Sequence, residues 1–161
     1  MNIQTIGTII KKEREACGLT QKALAAASHV SRVTIVNLEN GHVGDIGAVK
    51  LSVIAESVGI TLFSTGKQVD SIKMTLGNIN TSYKNTMSAA GLEKFMLSGK
   101  TQPGLEGQVF HLIDETPIAL LVSTVKQIAV KKNIKASLVW KNLAKVAAEI
   151  KSPNQFWNHV A

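Results

Sequence analysis

Five positions between residues 25 and 38 constrain this chain more than any other feature. Counted from Gln21, Ala25, His29, Val30, Ile35 and Leu38 hold places 5, 9, 10, 15 and 18. Two short helices that cross at close range need a small residue at the crossing, which Ala25 supplies. The turn between them needs a residue that tolerates positive φ. Glycine is usual there, but His29 visits that region more readily than a β-branched residue does. Val30 then tucks beneath the turn, and Ile35 and Leu38 anchor the second helix from one face. Local signals agree with the spacing. Thr20 and Ser31 stand where side-chain caps start helices over residues 21–28 and 32–39, and Asn40-Gly41 stops the second.

The pattern extends in both directions. Ile6, Ile9, Ile10, Arg14 and Cys17 recur at helical spacing over residues 3–17, and Gly18 ends that segment. Asp45 is placed to cap a helix over 46–58, stopped by Gly59. Residues 60–64 are β-branched and aromatic between Gly59 and Gly66, so they read as a short strand, and a lone strand needs a partner. One candidate partner is the same segment of a second subunit. Residues 67–87, rich in Asn, Ser and Thr with weak periodicity, read as a linker. Helices follow over 92–98 and 105–115. Ile118, Leu121, Val122, Val125, Ile128 and Ala129 then mark a longer helix with Pro117 in its first turn and Asn133 at its stop. A last helix over 136–151 places Val139, Trp140, Leu143, Val146, Ala147 and Ile150 on one face, and Phe156 and Trp157 dock a short tail. The expected class is mainly α, with a first domain at 1–66 and a helical second domain at 88–161.

Leu19-Thr20-Gln21, Ala25, Val30-Ser31-Arg32, Thr34-Ile35 and Leu38-Glu39-Asn40-Gly41 together resemble the Xre / lambda-repressor-like helix-turn-helix family over about residues 5–60. The resemblance implies that Gln21, beside Lys22, meets a phosphate or base edge, and that the next helix enters the major groove with its N-terminal residues leading. Arg32, Val33 and Asn37 would then face the bases, with Ser31 and Thr34 nearer the phosphates. The Arg32 guanidinium can hold guanine O6 and N7 together, Asn37 can pair adenine in the same way, and Val33 can touch a thymine methyl. Asn40 and the loop after Gly41 would offer backbone N–H groups to a phosphate. Arg14 and Glu39 stand where the family pairs an arginine with the glutamate, a structural pair, since a buried carboxylate without a partner is costly. The function so implied is a sequence-specific transcriptional regulator, a dimeric repressor of double-stranded DNA. The alternative is an antitoxin that neutralises a protein partner, because residues 60–64 resemble the dimerising strand of Hip-type antitoxins.

Charge qualifies this reading. The chain carries 18 basic and 11 acidic side chains, net +7. Residues 1–66 hold six basic against five acidic groups, a weak footprint for a polyanion, whereas residues 67–161 hold twelve against six. After residue 115 there are seven lysines and one acid, Glu149. Ala129, Asn133-Ile134 and Val139 also echo the small-turn-apolar order of the first motif, with Asn142 where the last anchor belongs. Three readings stay open: an auxiliary DNA element with Lys131, Lys132 and Lys135 near phosphates, a docking surface for a toxin or other acidic protein, and an ordinary hairpin with a solvated lysine face. The last is favoured.

Catalysis finds no constellation, and no enzyme, cofactor or metal site is expected. His29, His42, His111 and His159 are scattered, Asp114-Glu115 reads as a turn before Pro117, and no G-K-[ST] follows the glycines at 99, 104 and 107. The lone Cys17 excludes an internal disulfide and a Cys-rich zinc site. The apolar runs are too short to span a bilayer and the N-terminus lacks a signal-like core, so the expected setting is cytoplasmic, with no membrane partner.

Overall fold

The caps at Thr20 and Ser31 both form. Thr20 Oγ1 accepts from the Ala23 N–H at 3.0 Å and Ser31 Oγ from the Thr34 N–H at 3.1 Å. They open α2 (Gln21–Ala27) and α3 (Arg32–Glu39), which follow α1 (Ile3–Ala16) and precede α4 (Ala48–Glu56). The computed structural model describes residues 3–60 and 70–160, and all regular secondary structure among them is helical. Ile10, Leu24, Ala25, Ile35, Leu38, Ile54 and Val58 form the buried centre of this first group. Each such aliphatic side chain contributes about 1.5–3 kcal/mol when fully removed from water. Gly7 lets α1 cross α3 at backbone distance, since a Cβ there would stand 2.0 Å from the Leu38 carbonyl oxygen.

Two local expectations change. Asp45 does not cap α4. Its Oδ1 accepts from the Gly47 N–H at 2.9 Å, an Asx turn that carries Gly47 to φ +71° and delays the helix to Ala48. Of the strand expected at 60–64, only Ile60 is described, with its N–H bonded to the Ala55 carbonyl at 2.9 Å; residues 61–64 lie outside the described residues.

The larger correction concerns the linker. Residues 71–80, expected within it, form α5 (Ser71–Asn80), capped by Asp70 and packed along α8 (Ile118–Lys132). Its buried positions are Ser71, Ile72, Thr75 and Ile79, half of them small polar residues, so the apolar periodicity that reveals a helix is absent. Thr75 and Thr124 share a hydroxyl hydrogen bond of 2.8 Å, and Thr124 Oγ1 lies 3.1 Å from the Ser71 carbonyl oxygen. Both threonines are fully buried. Thr124→Val is therefore expected to cost about 1–3 kcal/mol, because the Thr75 hydroxyl loses its buried partner. Urea denaturation of the variant against wild type checks this.

The remaining elements are α6 (Ala89–Ser98), α7 (Glu106–Phe110) widening into a π-helical turn at His111–Glu115, α9 (Ala136–Glu149) and α10 (Trp157–Val160). The periodic positions of α8 and α9 face inward as their spacing predicts. Phe156 and Trp157 close over Trp140 with ring centroids 5.7 and 6.3 Å away. This second core also takes in Cys17 and Leu19 from the α1–α2 connection and Ala23 from α2. Trp140 Nε1 donates to the Cys17 carbonyl at 2.7 Å, Thr20 Oγ1 donates to the His159 carbonyl at 2.8 Å, and Lys126 pairs with Glu13. The second half thus grips the α1–α2 corner. No residue of α3 joins that core.

Candidate nucleic-acid interface

The interface begins with a buried ion pair. The Glu39 side chain is fully buried at the end of α3, where it meets Arg14 from the last turn of α1. Arg14 Nε donates to Glu39 Oε1 at 2.6 Å and Nη2 to Oε2 at 2.9 Å, a two-pronged geometry that fixes both planes. A third guanidinium nitrogen, Nη1, donates to the Leu19 carbonyl at 2.8 Å, so the same side chain also sets the entry into α2. Burial pushes the Glu39 carboxyl up, but hydrogen bonds from Arg14 and Gln21 and the arginine charge outweigh it, leaving it below the ordinary carboxylate range. The hydrogen bond to Glu39 likewise holds the Arg14 guanidinium above its usual value.

Gln21 is the site residue whose position differs most from expectation. Its Nε2 donates to Glu39 Oε2 at 3.0 Å. The side chain expected at a phosphate or base edge is tied to the structural pair, which leaves the amide oxygen and the second amide hydrogen for a ligand. Lys22, next to it, is exposed.

Along α3 the exposed and anchored residues separate cleanly. Ile35, Leu38 and Glu39 are buried, while Ser31, Arg32 and Val33 are exposed and Val33 keeps 66% of its surface. Arg32 has no hydrogen-bond or ion-pair partner among the described residues, and the half-buried Asn37 side chain has none either. Ser31 Oγ and Thr34 Oγ1 lie 2.9 Å apart, so the two residues assigned to the phosphates share one hydrogen bond in the cap. The structure therefore brings Arg32, Val33, Thr34 and Asn37 together on the open side of a helix anchored by its other face.

The loop donors shift. Asn40, Gly41 and His42 spend their N–H groups on the carbonyls of Val36, Leu38 and Asn37 at 3.1, 3.2 and 2.9 Å, which close the end of α3. Asn40 offers only its exposed side chain, and backbone donors begin at Val43. Gly41 at φ +72° is the signal for this closure, because the left-handed residue after a helix directs the following N–H groups back onto it.

The second turn repeats the first in its backbone. His29 and Asn133 both sit at φ +53°, and Val30 and Ile134 donate to the Ala25 and Ala129 carbonyls at 3.0 Å in each case. Its surroundings differ. A Cβ on Gly18 would stand 2.8 Å from the Ser137 backbone nitrogen, so the α1–α2 corner lies against the backbone of the first turn of α9. Lys131 and Lys132 both pair with Glu93, whose carboxyl they hold below the usual range. Lys135 stays exposed at the start of α9 and has no acidic partner among the described residues.

Comparison with known proteins meets the same segment. Neither the curated proteins nor the solved structures match the chain. Among the described residues, no helix is long and apolar enough to cross a membrane. Residues 10–63 match the family model described as Helix-turn-helix, a span that contains the ion pair, both caps, the turn at His29 and the open face of α3. Residues 10–63 thus form a helix-turn-helix domain of the Xre / lambda-repressor-like type, and this domain supports a DNA-binding transcriptional regulator.

Proposed function

We propose that the protein is a dimeric repressor that reads a specific operator through the first two turns of α3. The observation that supports this most is the exposed Arg32–Val33 edge on a helix held from behind by Ile35, Leu38 and Glu39. A rigid support and a free edge are what direct base reading requires, because a fork such as Arg32 discriminates only when its position is fixed. Gel shifts on the DNA upstream of its own gene test the reading. That duplex is expected to bind roughly a thousandfold or more tighter than a shuffled duplex at physiological salt. Equal binding of the two would end the repressor assignment.

Dimerisation follows from the weak charge of residues 1–66, since two half-sites double a modest set of contacts. The α4 surface supports it: Val49 keeps 79% of its surface exposed and Val53, one turn on, is also exposed. The pair Val49→Asp and Val53→Asp is expected to give a single-chain mass by light scattering. It is also expected to weaken operator binding by about tenfold or more. An unchanged dimer mass would move the interface away from α4.

A further inference from the structure

Asn142 stands where the echo of the first motif calls for an apolar anchor, and it does something else. Its Nδ2 donates to the Met96 and Leu97 carbonyls at 3.2 and 2.7 Å, so the end of α6 is seated on α9 at that point. Leu138 lies one turn before Asn142 on the same face, with Lys141 and Lys145 beside it. The last two turns of α6 carry Lys94 and Leu97, and Lys100 follows just beyond the helix. Leu138 keeps 55% of its surface exposed and Leu97 keeps 38%.

Lys94, Lys100, Lys141 and Lys145 lie on or next to the two helices of this seam. The acids of α6 and α9 are Glu93 and Glu149 alone. Glu93 is spent on Lys131 and Lys132. Glu149 lies 3.8 Å from Lys145 with both side chains mostly exposed, a contact that water and salt screen heavily. Lys94, Lys100 and Lys141 have no acidic partner among the described residues.

We infer that this seam is a docking surface for an acidic, leucine-bearing helix of a partner protein. An exposed leucine on each of the two helices that Asn142 joins, with lysines lacking an acidic partner on the same helices, suits an amphipathic helix with an apolar stripe and acidic flanks. Duplex DNA fits the same place poorly, because phosphates gain nothing from exposed leucine.

A synthetic helical peptide of about 18 residues, with leucines along one side and glutamates flanking them, is the probe. Titrated into the full-length protein, it is expected to bind about tenfold or more tightly than versions with leucine replaced by serine or glutamate by glutamine. The protein variants Leu138→Ser and Lys141→Glu are each expected to lose about tenfold in peptide affinity with an unchanged circular dichroism spectrum. Three results would overturn the proposal: no binding of the peptide, equal binding of the serine version, or peptide affinity unaffected by both protein variants. Gel shifts with the same preparations keep the two assignments separate, since neither variant touches α3.

Discussion

Replacing Glu39 with alanine is expected to destabilise the protein by about 3–5 kcal/mol, because it leaves the buried Arg14 guanidinium with only the Leu19 carbonyl and the solvent-exposed Glu15 carboxylate, 3.5 Å from Nη2, as partners. Against a typical total of roughly 5–15 kcal/mol, that loss is enough to leave part of the population unfolded near 37 °C. Urea denaturation followed by circular dichroism measures it. A double variant, Arg14→Met with Glu39→Leu, is expected to recover most of the loss, since apolar replacement of a whole buried pair is often neutral. The pH dependence follows from the direction of the Glu39 shift. Its folded value lies below the unfolded one, so its stabilisation is complete above the unfolded carboxylate range, about pH 4.3, and is lost as pH falls through the folded value. Glu93 moves the same way through Lys131 and Lys132, and Asp70 through the Lys73 N–H and Gln127, so the acid limb of wild type reports all three groups. Glu39→Gln is expected to flatten that limb by one group's share. An unchanged acid limb would show that the carboxylate is not ionised in the folded state.

Arg32→Ala is expected to weaken binding to the operator by about 1–3 kcal/mol, roughly tenfold to hundredfold, while binding to random duplex falls far less. The side chain has no partner to lose within the described residues, so the variant should fold as wild type does. Arg32→Lys is expected to recover little of the loss, because an ammonium cannot hold O6 and N7 of one guanine together. Fluorescence anisotropy with operator and shuffled duplexes at one salt concentration separates the outcomes. Equal losses on both duplexes would make Arg32 a phosphate contact instead of a base reader.

What could be read from the amino-acid order depended on how local its cause was. Thr20, Ser31 and Gly18 act on the residues next to them, so the starts of α2 and α3 and the end of α1 are legible. The left-handed turn at His29 is legible because Ala25, Val30 and Ile35 surround it at fixed spacing. Helix α5 was hidden, since Thr75 reaches the interior by hydrogen-bonding the Thr124 hydroxyl, which also meets the Ser71 carbonyl, and a polar residue with a distant buried partner looks like a surface residue in a linear pattern. The Gln21–Glu39 contact was hidden for a related reason. Resemblance gave Gln21 one partner, DNA, and only the crossing of α2 over the end of α3 supplies the other. The echo at Ala129–Val139 was legible as backbone geometry but silent about its neighbours. That Gly18 packs against the first turn of α9, and that Asn142 carries α6, depends on contacts far apart in the chain.

Selection from a randomised duplex library by the full-length protein tests the central claim most directly. The account predicts an enriched inverted repeat whose half-sites are about 10 base pairs apart, or a multiple of that, centre to centre, with a guanine at one fixed place in each. It also predicts that Arg32→Ala erases the preference for that guanine and leaves the other positions in place. A library that emerges unenriched, or the same guanine retained by the variant, would contradict it.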